Sequence, residues 1–488
     1  MEEILQPDPN ENYRLRKTKL IATLGPATRS PEKIRDLIRS GMNVARLNFS
    51  HGSHEEHEET LNRIREASRE LQMPVAVLQD LSGPKIRITE LEGDFKQVQD
   101  GEEIYLQHKA GAKSAGDTIY LETLNPVEFL KAGEQILLAD GILELRALEI
   151  LEEKVRCVVS KGGRIRSRVG IAFPDSEINL PATTDKDFLD LAWGIEHDIE
   201  YVAISFVNSA MDVLKLREEI TRQGGHSKII AKIERKSALR NINEIMSASD
   251  GLMVARGDLG LELPLEKVPR VQKRLIEEAN YRGIPVIVAT QMLHSMVTSV
   301  RPTRAEASDI ATAVMSGADA LMLSEETAIG ENPILAIKHL GKIAFEAERE
   351  FDFDEYKFRL KEADTETIPD AVAYAAAAAA IKVKARALVA CTETGNSARL
   401  IAKYRPQQTL FGASSSERTI RRMCLYWGVQ PVLFKSPENH ERELETALQQ
   451  VQEVGNFENG DRAVITAGLN VRTPGSTSLL EIREFRYA

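Results

Sequence analysis

Short apolar runs rich in Val, Ile and Ala recur along the chain, each ending in a polar residue and followed by an amphipathic stretch. Eight are legible: Lys19–Thr23, Asn43–Leu47, Val75–Asp80, Tyr201–Phe206, Lys228–Glu234, Gly251–Arg256, Val286–Thr290 and Ala320–Ser324. Runs this apolar read as parallel strands covered on both faces. The stretches between them carry helix punctuation. After the first run, Ser30 is a cap, Pro31 takes the first helical position, Gly41 is a stop, and Ile34, Leu37 and Ile38 form an apolar face. Eight strand–helix units predict an α/β fold, a (β/α)8 TIM barrel.

Most strand starts are about 20 to 35 residues apart, but residues 81–200 form a gap of 120, too long for a crossover. Inside it the pattern switches to period two, as in Glu103-Ile-Tyr-Leu-Gln107 and Lys154-Val-Arg-Cys-Val-Val159, with frequent glycine turns. This predicts a small β-barrel lid inserted after the third strand. A third unit follows, with an alanine-rich helix around Ala375–Ala380 and strand-like runs at Ala387–Thr392, Thr409–Ala413, Pro431–Phe434, Ala463–Ala467 and Leu479–Ile482. Helical stretches separate most of them, which predicts an α/β sandwich. The expected division is a tail at 1–13, a discontinuous barrel at 14–84 and 182–350, a lid at 85–181 and a C-terminal α/β unit at 351–488.

Composition narrows the function class. With 63 Lys and Arg against 74 Asp and Glu in 488 residues, the net charge of −11 disfavours a general nucleic-acid partner. Three cysteines without a CxxC pair argue against a disulfide framework and a thiolate zinc site. No apolar run reaches the ~18 residues of a membrane span, and residues 1–12 are acidic and polar without an apolar core. A cytoplasmic protein is expected.

Active sites of this architecture sit where the strands end. The strand ends here carry Arg46, Asn48, Ser50 and His51; Asp80; Ser205; Lys232 and Glu234; Arg256 and Asp258; Thr290; and Ser324 with Glu326. Lys232 and Glu234 are two residues apart on a strand and share a face. Alone they read equally as a salt bridge. Asp258, just past the next strand, adds a second carboxylate, and two carboxylates on adjacent strands suit one hard divalent cation such as Mg2+. Lys232 beside them suits the charge on a transferring phosphoryl group. Gly257 lets backbone approach a bound anion. Arg46 can grip a phosphate or carboxylate, and Asn48, Ser50 and Asp80 are hard oxygen donors suited to a second cation; a polar turn is the alternative. Thr290 reads either as a hydroxyl that orients a carboxylate or relays a proton, or as a helix cap.

Taken together, these segments resemble the pyruvate kinase family from about Lys17 to the C-terminus. The motifs are Lys19-Leu-Ile-Ala-Thr-Leu-Gly-Pro-Ala-Thr28, Ala45-Arg-Leu-Asn-Phe-Ser-His-Gly52, Ala231-Lys-Ile-Glu234, Met253-Val-Ala-Arg-Gly-Asp-Leu-Gly260, Ala289-Thr-Gln-Met-Leu293 and Arg301-Pro-Thr-Arg-Ala-Glu306. The resemblance implies phosphoryl transfer from phosphoenolpyruvate to ADP, giving pyruvate and ATP. It implies Glu234 and Asp258 as Mg2+ ligands, with Mn2+ able to substitute, and Lys232 and Arg46 on the phosphoryl group. Thr290, Gly257 and Asp258 would hold the substrate carboxylate, with Ser205 nearby, and Arg87 and His51 would lie on the nucleotide side. His51 reads equally as a turn histidine bonded to nearby backbone. A homotetramer is implied by resemblance alone.

Departures from the family pattern are specific. Where many members read Asp-Thr-Lys-Gly-Pro-Glu, this chain has Asp80-Leu-Ser-Gly-Pro-Lys85. Members with this lysine typically need no K+, and the physics agrees. The Lys85 ammonium supplies the charge of a monovalent cation, while Leu81 removes a ligating hydroxyl from the region of Asn48, Ser50 and Asp80. K+-independent activity is therefore expected. The family's Ser-Gly-Glu-Thr is Ser324-Glu-Glu-Thr327, its Met-Leu-Glu-Ser is Met292-Leu-His-Ser295, and the lid's Lys-Lys-Gly-Val-Asn-Leu-Pro is Arg168-Val-Gly-Ile-Ala-Phe-Pro174. The lid lysine expected at nucleotide phosphate is absent or replaced by Arg168.

In the C-terminal unit, Thr392, Thr394, Gly395, Asn396 and Ser397 form a small-residue loop before a helix, a ready anion site or an ordinary capped loop. The matching family loop binds a sugar phosphate in many members, with a partner loop resembling Pro474-Gly-Ser-Thr-Ser478. A phosphorylated effector, a hexose phosphate or AMP, is expected. Two rivals remain: a Mg2+-dependent lyase or aldolase, indifferent to ADP, and a non-catalytic metabolite-binding regulator, which intact Lys232, Glu234, Asp258 and Thr290 argue against.

Overall fold

A computed structural model describes residues 16–176, 178, 180–353, 367–435, 443–468 and 477–485. The expected tail at 1–13 and the Pro474–Ser476 part of the second loop lie outside the described residues. The chain opens with strands β1 (Lys19–Thr23), β2 (Val44–Asn48) and β3 (Ala76–Asp80), and then enters the lid. The lid strands are β4 (Phe95–Val98), β5 (Glu103–His108), β6 (Thr118–Leu121), β7 (Gln135–Leu138), β8 (Leu143–Ile150), β9 (Lys154–Lys161), β10 (Gly163–Arg166) and β11 (Ile171–Ala172). The chain returns through β12 (Tyr201–Ile204), β13 (Lys228–Ile233), β14 (Gly251–Ala255), β15 (Val286–Ala289) and β16 (Ala320–Leu323). The parallel strands β1-β16-β15-β14-β13-β12-β3-β2 close into the expected barrel.

The apolar runs form strands because both faces are covered. Leu20, Val77, Ile204, Val254 and Val288 are among the barrel-strand side chains with no exposed surface, and several others have little or none. Each such aliphatic side chain is worth roughly 1.5–3 kcal/mol of burial. The helix Pro31–Arg39 begins where Ser30 accepts from the Lys33 N–H, and Ile34, Leu37 and Ile38 are its buried face. Gly41 follows at φ +100°, a conformation that favours glycine.

In the lid, the order β11-β7-β8-β9-β5-β6 forms one sheet and β10-β4 a ribbon. Bridges Arg87↔Gly170 and Ile88↔Leu121 tie the 86–89 segment to both edges of that sheet and close it around Ile104, Leu106, Ile136, Leu145 and Val155. The C-terminal sheet has the order β19 (Val429–Leu433), β18 (Thr409–Ser414), β17 (Ala387–Cys391), β20 (Arg462–Gly468), β21 (Thr477–Glu484), parallel except for antiparallel β21. Apolar clusters on both faces make the expected sandwich, one including Leu388 and the alanine helix Ile368–Lys382, the other Val389 and Val451 of Glu443–Gly455.

This unit docks on the end of the barrel where the strands begin. Lys19 Nζ donates to Val429 O at 2.7 Å, Tyr201 Oη to Arg422 O at 2.6 Å, and Arg405 pairs with Asp319 at 2.8 Å. The opposite end, under the lid, is left open. Among the described residues no helix is long and apolar enough to cross a membrane.

Candidate functional site

Four neighbouring strand ends build the centre of the mouth. Asp80 closes β3, Ser205 follows β12, Lys232 and Glu234 stand at the end of β13, and Asp258 follows β14. Lys232 reaches across β12, with its Nζ 3.3 Å from Asp80 Oδ1, 3.0 Å from Glu234 Oε1 and donating to Ser205 Oγ at 2.8 Å. Ser205 Oγ itself donates to Leu81 O at 2.8 Å. Arg46, at the end of β2, donates through Nε to Asp80 Oδ2 at 2.7 Å and through Nη1 to Thr23 Oγ1 at 2.9 Å.

Burial sets the electrostatics. It pushes the Lys232 ammonium down, but Asp80 and Glu234 push harder, and the group sits above the ordinary lysine value. Burial pushes Asp80 up, and Lys232 and Arg46 more than offset it, holding that carboxyl below the usual range. Glu234 is raised by its burial and by Asp258 against the pull of Lys232. The Phe206 N–H donates to Glu234 Oε2 at 2.7 Å. Glu234 Oε1 and Asp80 Oδ1 are buried, and each faces the Lys232 ammonium without hydrogen-bond geometry. No hydrogen bond to the Asp258 carboxylate occurs among the described residues.

That donor set fits a small divalent cation. Glu234 offers one buried oxygen that faces the Lys232 ammonium at 3.0 Å, Asp258 a carboxylate that accepts no hydrogen bond among the described residues, and β13 and β14 are direct neighbours. No group of three or more His, Cys, Asp or Glu side chains is arranged to hold a metal among the described residues. Two carboxylates with water and substrate oxygens completing the shell is the pattern Mg2+ tolerates.

On the next strand end, Thr290 accepts from the Gly257 N–H at 2.8 Å and donates to Ala289 O at 2.6 Å. It does not cap the helical turn that follows it, which starts at His294; its hydroxyl instead accepts from a first-turn N–H of the helix Arg256–Glu262. Its φ is +70°, followed by Gln291 at +54°, and a β-branched residue there is strained. A methyl group on Gly257 would meet Thr290 Oγ1 only at 3.6 Å, so protein packing does not demand the glycine; its absence leaves room beside Thr290. Arg256 holds the strained turn. It donates to Thr290 O at 2.6 Å and Ala289 O at 3.3 Å, contacts Met292 Sδ and pairs with Asp309. Sequence reasoning placed Arg256 at a strand end without a role and missed the Phe206 N–H. Neither left-handed residue carries a glycine-like signal.

A cleft of about 660 Å³ opens between barrel and lid, bordered by Lys85, Asp140, Gly170, Glu234, Arg235 and Asp258. The Lys85 ammonium lies 3.7 Å from Asp258 Oδ1 and 4.0 Å from Asp140 Oδ1. No ion pair joins Lys85 to Asp80 among the described residues. Asn48 and Asp80 face each other in register, Ser50 N–H donates to Asn48 Oδ1 at 3.2 Å, and Leu81 is buried. His51 is an exposed turn residue whose carbonyl lies 2.9 Å from His57 Nε2. Arg87 Nη1 donates to Arg168 O at 3.1 Å, and Arg168 pairs with Glu90 at 2.9 Å. His51 and Arg87 do not border the cleft. In the altered motifs Ser324–Thr327 and Met292–Ser295, buried Glu326 accepts from the Ser324 and Leu293 N–H groups, and the substituted pair His294 and Glu325 lie 3.8 Å apart.

In the C-terminal unit, Gly395 N–H donates to Thr392 Oγ1 at 3.0 Å with φ +87°, and Ser397 Oγ bonds Thr477 Oγ1, joining the two loops. Thr394 and Asn396 border a second cleft of about 450 Å³, shared with Lys228 and Arg282 on the barrel floor.

Known proteins match along the same lines. The family models "Pyruvate kinase, barrel domain" and "Pyruvate kinase, alpha/beta domain" match residues 15–337 and 370–483. The pyruvate kinases of Staphylococcus aureus strains MRSA252 and USA300 are each 41% identical over 472 residues, covering 96% of this chain and 80% of theirs. The crystal structure of a pyruvate kinase from Cryptosporidium parvum superposes with a TM-score of 0.93 at 35% identity, covering 99% of both chains. With two family models spanning barrel and C-terminal sandwich, and relatives aligned across nearly its whole length, the chain belongs to the pyruvate kinase family.

Proposed function

We propose that this enzyme moves the phosphoryl group of phosphoenolpyruvate to ADP, yielding pyruvate and ATP, with Mg2+ or Mn2+ required and K+ not required. The observation that carries the reading is the Lys232 ammonium, held among Asp80, Glu234 and Ser205 at the open end of the barrel. Phosphoryl transfer demands positioning and charge neutralisation more than a nucleophile. Lys232 and Arg46 supply two fixed positive charges whose orientation Asp80 sets from both sides. Glu234 and Asp258 would hold the divalent ion, which when bound supplies Lewis-acid neutralisation of phosphoryl and substrate oxygens.

The carboxylate of phosphoenolpyruvate is received where Gly257 leaves room beside Thr290, with Ser205 on the other side of Lys232. The Thr290 hydroxyl is committed to Gly257 N–H and Ala289 O. It orients the substrate and, on turning from Ala289 O, can relay a proton from water to the enolate carbon, taking up one proton as it gives the other. The nucleotide is assigned to the side of His51 and Arg87, and Lys85 takes the charge role of a monovalent cation near Asn48, Ser50, Asp80 and Leu81. A homotetramer in the cytoplasm, answering to a phosphorylated effector at Thr392, Thr394, Gly395, Asn396 and Ser397, completes the reading.

A lactate-dehydrogenase-coupled assay with phosphoenolpyruvate, ADP and Mg2+ tests it. Turnover is expected without K+ salts, and a rate indifferent to ADP would point to a lyase instead. Near-zero turnover restored by KCl would overturn the K+ reading. Phosphoenolpyruvate saturation curves unmoved by a panel of hexose phosphates and AMP would remove the effector.

A further inference from the structure

Lys85 stands where the chain leaves β3 for the lid, and its ammonium lies between carboxylates on opposite walls of the cleft between barrel and lid. Asp258 Oδ1 is at 3.7 Å on the barrel side and Asp140 Oδ1 at 4.0 Å on the lid side. Gly170 gives the lysine stem its room, because a Cβ there would approach Lys85 Cε to 3.1 Å. The other cations near the mouth are engaged elsewhere. Lys232 pairs with Asp80 and Glu234, Arg46 with Asp80, Arg256 with Asp309, and Lys236 donates to Pro174 O. Among the described residues, Lys85 is the cation within ion-pair distance of Asp258.

We propose that Lys85 is an internal counter-ion that competes with the divalent cation for Asp258, so that metal binding must displace the ammonium. Asp140 gives the displaced ammonium a second carboxylate within reach, which keeps the exchange from stranding a charge. The inference rests on Asp258 being a metal ligand, and it is separate from any substitution for K+. An ion pair at partial exposure sets the size of the effect, about fivefold in metal affinity.

The test is Mn2+ binding by electron paramagnetic resonance, on the full chain without substrate or nucleotide. Lys85→Met and Lys85→Gln are expected to bind Mn2+ about fivefold more tightly than the natural protein at low salt, with the gain fading toward ~0.5 M salt as charges are screened. Lys85→Arg should match the natural protein. Lys236→Met, which removes a charge from the same cleft, should stay within about twofold. Unchanged or weaker binding in both neutral Lys85 variants overturns the proposal, as does an equal gain in Lys236→Met, which would show a general field effect. Asp258→Asn separates the two levels. If it leaves Mn2+ affinity intact, the metal-site reading itself fails. If it abolishes binding while the Lys85 variants do not tighten it, only the counter-ion inference fails.

Discussion

At the floor of the barrel, Arg405 is buried, yet its guanidinium reaches Asp319, Asn280 Oδ1 and Gly317 O within 2.8 Å. Lys19 is buried at the same end and donates to Val429 O. At the mouth, Glu234 Oε1 and Asp80 Oδ1 face the Lys232 ammonium, the Asp258 carboxylate accepts no hydrogen bond among the described residues, and Thr290 and Phe206 hold left-handed backbone at φ +70° and +55°. The same eight strands thus end in two kinds of polar layer. The floor turns its charges toward the C-terminal unit: Arg405 is paired with Asp319, while Lys19, among the described residues, has a carbonyl partner only. At the mouth Glu234 and Asp258 border the open cleft, where the proposed reading puts the ligand; left-handed backbone does not by itself separate the two ends, since Arg405 at the floor has φ +44°.

The comparison breaks most easily at Lys232. Lys232→Met is expected to lower turnover more than ~10³-fold, because on the proposed reading it removes the fixed charge at the transferring group. A melting curve checks that the fold survives, and activity within tenfold of the natural protein would erase the difference between the two ends. At the floor the cost should fall on stability instead. Arg405→Met leaves Asp319 unpaired and is expected to cost roughly 3–5 kcal/mol in denaturant unfolding, with turnover per folded molecule nearly intact.

Thr290→Val keeps the branched shape but gives Gly257 N–H no acceptor. Turnover should drop about 10²-fold while Thr290→Ser stays close to the natural rate. Arg256→Met, which loosens the turn without touching the Thr290 hydroxyl, should cost about tenfold in turnover. The smallest effect concerns Lys19, whose ammonium is pushed down to about 8 by burial. The folded chain sheds this proton near pH 8, but the unfolded chain keeps it to about 10.4. Stability therefore rises with pH across that window. The melting temperature of the natural protein should gain on that of Lys19→Met between pH 8 and 10, and a constant difference would place the ammonium in water.

What could be read from the chain follows the same division. The eight strands were legible because parallel barrel strands are covered on both faces and leave unbroken apolar runs. Lys232 and Glu234 were legible as a pair because a two-residue spacing on a strand fixes a common face. The grip of Arg256 on Thr290, and the Phe206 N–H on Glu234, were not legible. They depend on how barrel closure brings neighbouring strand ends together, and their left-handed backbone falls on Thr, Gln and Phe rather than on glycine. From sequence, Lys85 reads as standing near Asn48, Ser50 and Asp80, and its contact with Asp258, which follows β14, a strand not adjacent to β3, exists only once the barrel has closed. The docking of the C-terminal unit on the floor was hidden for a similar reason, since Lys19, Arg405 and Tyr201 meet partners up to 410 positions away.

The most direct measurement is phosphorus NMR of phosphoenolpyruvate and ADP mixed with protein passed over a chelating resin, followed by titration with Mg2+ in potassium-free buffer. The account predicts no ATP β-phosphate signal before Mg2+, its growth after Mg2+, and almost none at any Mg2+ level with Glu234→Gln. ATP formed by the stripped protein, or at the natural rate by Glu234→Gln, would contradict it.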